Sequence, residues 1–237
     1  MEIKSASAIR RVGGIKIAIQ AAAGMGKTML TATLKKPIII LTERTGASSL
    51  SLKNIKAVYG ESAVTTKIPV VEAYTVAEVE EAVAKLSKDK RFDTIVFDSM
   101  SELSKMLLKE AIPNYKNKLQ AYGDMADQVD EFIRSLNSCK KNIVFLFHSV
   151  ASESYDEEGD PIGTVMVPGF EGQKMKADFP FLNGDIFCMV NEFDDEGNEK
   201  RFLRTRQGDT IHYAKNRSGG LKELEEPHLE KIFAKLK

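Results

Sequence analysis

Eight residues near the amino end of the chain have the types and spacing of a phosphate-binding loop. Residues 21–28 read Ala-Ala-Ala-Gly-Met-Gly-Lys-Thr. Small residues let backbone N–H groups curl around phosphate oxygens, a lysine neutralises the β- and γ-phosphates, and a threonine hydroxyl binds Mg2+. The predicted nucleotide-binding residues are Ala22, Ala23, Gly24, Met25, Gly26, Lys27 and Thr28, and Thr28 is also a predicted metal ligand.

The residues on either side of this loop favour the same interpretation. Residues 15–20 alternate and are rich in β-branched types, as in the first strand of a parallel sheet, and residues 27–35 continue as a helix that Pro37 ends. Ala21 stands where glycine is usual. Alanine tolerates fewer backbone conformations, so either Ala21 has an ordinary negative φ or the loop is slightly reshaped. The alternative is a chance Gly-Lys-Thr after a strand.

Three polar side chains follow apolar β-type runs elsewhere in the chain. Asp98 and Ser99 end the run 92–99, Glu43 ends the run 38–43, and His148 comes near the end of the run 143–149. Parallel strands deliver such residues to the carboxyl edge of a sheet, where open α/β folds bind ligands. There Asp98 can hold Mg2+ or its water, and Glu43 can orient an attacking water. His148 can donate a hydrogen bond to a γ-phosphate.

Each of these three residues also has a simpler interpretation. Asp98 can belong to the cap of the helix that begins at Ser101, and Glu43 can be a solvated acid paired with Arg44. His148 can be a core histidine whose ring is satisfied by the backbone. The phosphate loop makes the functional interpretation of Asp98 the stronger one.

Composition excludes several classes of protein. The chain has 237 residues and 43% hydrophobic content, enough for one substantial core. No apolar run approaches the roughly 20 residues of a membrane span, and residues 1–5 lack the apolar core of a signal peptide, so we expect a cytoplasmic protein without a membrane partner. Cys139 and Cys188 have no CxxC spacing and are expected to be buried free thiols. The chain has 34 basic and 34 acidic residues, so it could bind nucleic acid only through a local basic patch.

Apolar β-type runs alternate with helical patterns along the chain, which predicts an α/β fold with a mostly parallel central sheet flanked by helices. The predicted strands are residues 15–20, 37–42, 70–74, 93–98, 142–148, 185–192 and 200–206. The predicted helices are residues 27–35, 75–88, 101–111, 124–139 and 227–237. A turn at residues 194–198 between the last two strands predicts a C-terminal antiparallel β-hairpin.

The order of these motifs resembles the RecA-type P-loop ATPase core. The phosphate loop, Glu43, Asp98 with Ser99, His148 and the segment 213–219, Tyr-Ala-Lys-Asn-Arg-Ser-Gly, follow one another as in that family. The resemblance covers residues 15–219. Within the family, the sequence most resembles the bacterial RadA branch and the small phage-encoded RecA-like ATPases of single-strand annealing and recombination. This resemblance implies a core at residues 15–220, an N-terminal arm at 1–14 that contacts another protomer, and a C-terminal helix within 221–237.

The resemblance also implies roles for individual residues. Lys27 and Thr28 bind phosphate and Mg2+, Asp98 supports the metal, and Glu43 activates water while His148 senses the γ-phosphate. Lys215 and Arg217 act from a neighbouring protomer. The implied catalytic residues are therefore Glu43, Lys27, His148, Lys215 and Arg217.

Two residues depart from the RadA pattern: Ala21 in the loop, and Ser218 where RadA carries an aromatic. The zinc-binding and protease-like domains of full-length RadA have no counterpart in this sequence. A minimal recombinase or annealing accessory is therefore expected rather than helicase-like branch migration.

In RecA-like cores, the segments after the third and fourth motif strands line the central axis of the oligomer and touch DNA. Here those segments are residues 113–122 and 149–184. Cations beside aromatic faces suit sequence-independent binding of single strands. The implied DNA contacts are Tyr115, Lys116, Lys118, Phe170, Gln173, Lys174 and Lys176. A loop of about 35 residues, interrupted by one hairpin at 156–161, also suggests function. Its first half is acidic and would repel DNA, and a solvated lysine-rich loop is the alternative.

The sequence therefore predicts an oligomeric ATPase that binds single-stranded DNA in phage recombination or single-strand annealing and hydrolyses ATP at subunit boundaries. The expected cofactors are ATP and Mg2+. The expected partners are single-stranded DNA, further copies of the chain in a ring or filament, and a phage or host single-strand-binding protein. Two alternatives remain open: an ATPase that loads or remodels a replication protein, and a nucleotide-gated interaction module with negligible hydrolysis. A small-molecule kinase is disfavoured because no arginine-rich lid follows the core helices.

Overall fold

A mostly parallel sheet lies at the centre of the computed structural model, which describes residues 13–44, 46–155, 158–194, 196–208 and 210–236. The strands are β1 (Lys16–Ala21), β2 (Pro37–Leu41), β3 (Val70–Glu72), β4 (Thr94–Asp98), β5 (Asn142–Tyr155), β6 (Pro161–Pro168), β7 (Asp185–Phe193), β8 (Glu199–Arg204) and β9 (Leu224–Glu225). The α-helices are α1 (Leu52–Tyr59), α2 (Val76–Leu86), α3 (Met100–Ala111), α4 (Lys118–Asn137), α5 (Gln173–Leu182) and α6 (Leu229–Leu236). Short 3-10 helices cover Thr28–Thr33, Gly46–Leu50, Gly60–Ser62 and Ile112–Asn114.

The strand order in the sheet is β3-β2-β4-β5-β1-β7-β8-β9, with β6 paired to β5. The pairs from β3 to β7 along this order are parallel, whereas β7 with β8 and β8 with β9 are antiparallel. The predicted fold class is confirmed, as is the antiparallel hairpin formed by β7 and β8. Because β1, β2, β4 and β5 are parallel, the residues that follow them lie at one edge.

Both faces of the sheet are covered, which explains why its strands read as continuous apolar runs. In β5, Phe145 and Phe147 pack with α3, α4 and α5, whereas Val144 and Leu146 pack on the opposite face. That opposite face also holds Leu30 and Leu34, in or just after the helix that follows the phosphate loop, together with residues of α6. Side chains alternate between the two faces of a strand, so one run of residues supplies both layers.

The predicted helix at residues 27–35 is a 3-10 helix over Thr28–Thr33, and the predicted helix at 124–139 begins earlier, at Lys118. The side chain of Asn117 accepts a hydrogen bond from the N–H of Leu119 and so caps this longer helix. Helix α1, which the sequence analysis missed, is capped by the Ser51 side chain.

The long loop predicted at residues 149–184 is wrong, although the antiparallel pairing of β5 with β6 confirms the hairpin expected within it at 156–161. Strand β5 continues to Tyr155, β6 pairs back on it, and α5 follows. The extension of β5 beyond Ser149 alternates between exposed and half-buried residues. It therefore lacks the apolar run by which the buried half of β5 could be recognised.

The two ends of the chain were predicted as separate segments. Residues 1–12 of the expected N-terminal arm lie outside the described residues. At the other end, Leu221, Leu229 and Phe233 are buried in the same cluster as Ile17 of β1, and the N–H of Leu229 donates to the hydroxyl of Thr33. Helix α6 and Leu221 thus pack on the same core as β1. Among the helices described, none has the length and apolar character that crossing a membrane requires.

Candidate nucleotide-binding site

The phosphate loop connects β1 to the 3-10 helix that begins at Thr28. Gly24 and Gly26 have φ values of 79° and 88°, a left-handed conformation that glycine adopts without a steric penalty. Ala21 is the buried last residue of β1 and pairs with His148 in β5. Among the described non-glycine residues, Lys36 alone has a positive φ, so Ala21 has the ordinary backbone conformation that an alanine allows.

The ammonium group of Lys27 lies inside the loop. Its Nζ donates to the carbonyl oxygens of Ala21 at 2.9 Å and Ala22 at 3.1 Å, and the residue is 9% exposed. Burial lowers the pKa of Lys27, and the charges of Asp98 and Glu43 partly oppose this effect. The lysine therefore places a poorly solvated positive charge in the loop, where a phosphate group can compensate it.

Thr28 and Asp98 meet at one point beside the loop. The Thr28 hydroxyl donates to Oδ2 of Asp98 at 2.5 Å. Burial raises the pKa of Asp98, and the hydrogen bond from Thr28 counteracts this. A hydroxyl and a carboxylate are oxygen ligands of the kind that Mg2+ prefers. No cluster of three or more His, Cys, Asp or Glu side chains suited to a metal occurs in the described part of the chain. Thr28 and Asp98 are therefore the residues that would hold a magnesium ion bound with a nucleotide.

Glu43, Ser99 and His148 form a second group at the same sheet edge. The Ser99 hydroxyl donates to Oε1 of Glu43 at 2.5 Å, and Nε2 of His148 lies 2.6 Å from the same oxygen. The hydrogen bond with His148 is the main reason that the pKa of Glu43 is lowered to about 2, and burial opposes it. Glu43 is thus a charged carboxylate that two neighbours hold through one of its oxygens.

These contacts bear on the simpler interpretations of the three residues. Arg44 lies over the ring of Tyr74, 5.0 Å from its centroid, while Glu43 interacts with His148. The ring of His148 is satisfied by Glu43 and is 40% exposed, so it is not a core histidine bonded to the backbone. Ser99, the residue after Asp98, is the cap of α3.

A cavity of about 360 Å³ connects both groups with the loop. It is lined by loop residues, by Glu43, Asp98 and His148, and by Gly46, Ser48 and Ser49 of the 3-10 helix after Glu43. The sequence analysis missed these last three residues, although a run of small polar residues directly after a strand-end acid was a usable signal. The cavity joins a cation, a hydroxyl-carboxylate pair and an ionised glutamate, which is the set of groups that phosphoryl transfer to water requires.

Lys215 and Arg217 lie away from this cavity. Lys215 forms a backbone bridge with Ile186, which pairs with Ala18 of β1, and the N–H of Arg217 donates to Oδ1 of Asp185 at 3.1 Å. Asp185 pairs with Ile17, four residues before the phosphate loop, or about 13 Å along the strand. Nζ of Lys215 donates to the carbonyl oxygens of Pro180 and Asn183, which precede β7. Neither residue lines the cavity beside the phosphate loop.

The two segments predicted to contact DNA lie side by side. Lys174 of α5 pairs with Asp127 of α4 at 2.6 Å, and Gly172 lies against the ring of Tyr122. The residues Tyr115, Lys116, Lys118, Gln173 and Lys174 are exposed, and Lys176 is half-buried. Asp124 is hydrogen-bonded to Tyr115 and raises its pKa. Acidic residues therefore reduce the positive charge of this surface.

The prediction that Phe170 stacks on a DNA base requires an exposed ring, and the structure contradicts that exposure. Phe170 is 5% exposed and lies in the core. Its ring centroid is 4.8 Å from that of Phe147 and 5.0 Å from that of Phe179. The three rings bury one another beneath α5, so Phe170 stabilises the core instead.

Of three comparisons with known proteins, one identifies a family. No curated protein matches the chain. Among solved structures, a KaiC-like protein from the hyperthermophilic archaeon Pyrococcus horikoshii is 12% identical over 86% of this chain and 83% of its own, with a TM-score of 0.45. A family model described as an AAA domain matches residues 13–218. This match spans most of the chain and includes every residue that lines the cavity, so the chain belongs to the AAA domain family and has a P-loop ATPase core.

Proposed function

We propose that this chain is an ATP-dependent, oligomeric single-stranded-DNA-binding protein that supports phage DNA recombination or single-strand annealing and hydrolyses ATP between subunits. The observation that carries the proposal is the group formed by Glu43, Ser99 and His148 beside the phosphate loop. Glu43 and Ser99 follow the ends of β2 and β4, His148 lies within β5, and Ser99 and His148 both bond to one carboxylate oxygen of Glu43. Such convergence favours an ATPase over a module that only binds nucleotide.

The residues of the chain suggest how a bound ATP would be hydrolysed. Lys27 offsets the charge of the β- and γ-phosphates, and Thr28 and Asp98 hold Mg2+, which supplies further positive charge to the phosphate oxygens. Both hydrogen bonds that described residues make to the Glu43 carboxylate use Oε1, which leaves Oε2 without a bond from the described residues. Oε2 is therefore the oxygen that orients the attacking water.

His148 controls the base strength of Glu43 in this arrangement. A carboxylate with a pKa of about 2 accepts a proton poorly at neutral pH. If the His148 ring turns to donate to a γ-phosphate, Glu43 loses the hydrogen bond that contributes most to its lowered pKa and becomes a better base. Hydrolysis then begins when the triphosphate is in place, which is the role expected of a γ-phosphate sensor.

Lys215 and Arg217 support the proposal that sites are completed between subunits. They lie near the amino end of β7, whereas the nucleotide cavity is at the carboxyl end of the neighbouring β1. A cation that cannot reach its own nucleotide is available to the nucleotide of another copy. Head-to-tail contacts of this kind produce rings or filaments.

The surface next to α4 and α5 is the proposed DNA site. It retains the exposed cations Lys116 and Lys118 and the exposed ring of Tyr115, which provide charge neutralisation and one stacking face. The paired Lys174 contributes to DNA binding only when its contact with Asp127 is exchanged for a phosphate.

The deciding experiment measures steady-state ATP hydrolysis with and without single-stranded DNA, with Lys27→Ala as the inactive control. Stimulation by single strands, together with assemblies seen by electron microscopy with a non-hydrolysable ATP analogue, is the expected result. Hydrolysis that DNA does not change, in a protein that does not bind DNA, contradicts the proposal.

A second candidate function has one observation in its favour. Burial of Phe170 and the pairing of Lys174 with Asp127 weaken the DNA surface that the sequence predicted. Such a surface is also compatible with an ATPase that loads or remodels a replication protein. Stimulation by a single-strand-binding protein, without affinity for DNA itself, is the result that this alternative expects.

A further inference from the structure

Arg201 of β8 lies directly against the phosphate loop. A Cβ atom placed on Gly26 would be 2.8 Å from Nη1 of Arg201 and 3.9 Å from Cβ of Met29. The guanidinium therefore occupies the space beside the loop that a side chain at position 26 would need. Arg201 is half-buried there.

The charge of Arg201 is not compensated within the described part of the chain. Its Nε is buried and has no hydrogen-bond partner, and no described acid forms an ion pair with it. Arg204 on the same strand differs, because it pairs with both Glu192 and Glu223. The chain has as many acidic as basic residues, so acids are not scarce. A half-buried cation without an acid next to a phosphate loop indicates that its anion comes from a ligand.

The strand pattern fixes the side of the sheet on which Arg201 lies. Arg201 and Leu203 are two residues apart in β8 and so share a face. Leu203 is buried with Ile19 of β1 and Leu30 of the helix after the loop. Arg201 therefore lies on the sheet face that the helix after the phosphate loop covers, and its guanidinium reaches Gly26 of the same chain.

The sheet order also indicates which end of a nucleotide Arg201 would meet. Glu43, Asp98 and His148 come from β2, β4 and β5, on one side of β1, whereas β8 lies on the other side. If the former group contacts the γ-phosphate, as proposed above, a residue on the other side of β1 is nearer to the α- and β-phosphates.

We propose that Arg201 is a nucleotide-binding residue of the same chain, whose guanidinium contacts the α- or β-phosphate of a nucleoside diphosphate or triphosphate in the loop. This proposal rests on nucleotide binding at the loop, as proposed above, and adds a specific residue and its position along the nucleotide. It also gives a reason for glycine at position 26 beyond backbone conformation, since any side chain there would displace Arg201.

The test compares binding of MgADP and of a magnesium complex of a non-hydrolysable ATP analogue, by calorimetry, to the wild type, Arg201→Ala, Arg201→Lys and Lys200→Ala. Lys200→Ala is the matched control, because it removes the same charge from the adjacent residue of β8. The side chain of Lys200 pairs with Asp194 at the surface. A hydrogen bond to a charged group predicts a 10- to 100-fold weaker affinity of Arg201→Ala for both nucleotides. Arg201→Lys should recover part of this loss, and Lys200→Ala should bind like the wild type.

Different failures are distinguishable. Unchanged affinity of Arg201→Ala for both nucleotides overturns the proposal, and weakening confined to the triphosphate analogue overturns the assignment to the α- or β-phosphate. If Arg201→Ala does not fold, Arg201→Lys decides the matter, since its charge is kept but its fork geometry is lost. A wild-type protein that binds neither nucleotide overturns the proposed function itself. A folded Arg201→Ala protein with a lower melting temperature and wild-type affinity shows a merely structural residue.

Discussion

The Nε2 atom of His148 lies 2.6 Å from Oε1 of Glu43, although 105 residues separate them in the chain. Glu43 follows β2 and His148 lies within β5, so the contact crosses the end of β4, which lies between them. Ser99, just after β4, donates to the same oxygen. The arrangement keeps Glu43 ionised and makes its proton affinity depend on where the His148 ring points.

Replacing His148 by alanine should therefore raise the pKa of Glu43. In the wild type this pKa is lowered from 4.5 to about 2, chiefly by His148. A carboxylate whose pKa is lower in the folded protein stabilises the fold at pH values above its pKa in the unfolded chain. This contribution is lost as the pH falls through about 2, the pKa in the folded protein. His148→Ala should lose less stability than the wild type over that acidic window, as urea unfolding at several pH values can measure. Identical pH dependence in the two proteins contradicts the assigned contact.

Replacing Glu43 by glutamine separates nucleotide binding from hydrolysis. Glutamine has a similar shape but cannot accept a proton, so turnover should fall about 100-fold or more while affinity for ATP remains. Glu72→Gln is a suitable control, because Glu72 is an exposed acid at the end of the neighbouring β3. Steady-state turnover and calorimetry measure the two quantities. Loss of affinity in Glu43→Gln would show that Glu43 has a structural role.

Phe170→Ala should destabilise the protein by about 3–5 kcal/mol, because it leaves a cavity among the rings of Phe147 and Phe179. Phe170→Leu keeps much of the volume and should lose less. Tyr115→Ala removes an exposed ring and should instead weaken DNA binding with little effect on stability. Urea unfolding together with DNA titration distinguishes the two positions. A stable Phe170→Ala protein that has lost DNA affinity would restore the original prediction for Phe170.

The double variant Lys174→Ala, Lys176→Ala tests the DNA surface. Each phosphate contact to a single strand changes the slope of log K against log salt by about 0.7, so the slope should fall by up to about 1.4. Affinity should fall equally for different sequences, since phosphates carry no sequence information. Lys85→Ala is the control, because Lys85 is also an exposed lysine in an ion pair on a helix. An unchanged slope would place the DNA site elsewhere on the molecule.

The parts of the fold that the sequence predicted are those whose signal is local. The phosphate loop is contiguous, and the buried half of β5 reads as an apolar run because both of its faces are covered. The outer half of β5 and β6 form a hairpin largely outside those layers, so the sequence predicted its turn at 156–161 but not the length of its strands. Helix α5 was missed as well, and Pro180 lies inside it.

The parts of the site that the sequence could not predict depend on contacts between distant segments. That Glu43 and His148 lie at one edge follows from parallel strands, but the contact of both His148 and Ser99 with a single oxygen of Glu43 does not. Arg201 reaches Gly26 only because β8 pairs antiparallel with β7, with Arg201 opposite Asn191. Phe170 has a lysine-rich sequence beside it, yet its ring is buried by Phe147 and Phe179, which no local pattern reveals.

The last prediction concerns Arg217, which lies beside Asp185 at the far end of β7 from its own phosphate loop. If Arg217 completes the site of a neighbouring subunit, each active site combines one subunit's loop with the next subunit's arginine. Arg217→Ala and Lys27→Ala should then each be inactive alone. An equal mixture should regain about a quarter of wild-type activity, because that fraction of random head-to-tail contacts joins an intact loop to an intact arginine.

The control for this mixture replaces Lys27→Ala by the double variant Lys27→Ala, Arg217→Ala, which offers no intact arginine and should restore nothing. Turnover should also rise more steeply than protein concentration in the wild type, because the site forms only on assembly. An active Arg217→Ala protein would show that Arg217 is a surface residue before Gly219. If Arg217→Ala is inactive, assembles normally and is not rescued by Lys27→Ala subunits, Arg217 acts within its own chain and the shared site is wrong.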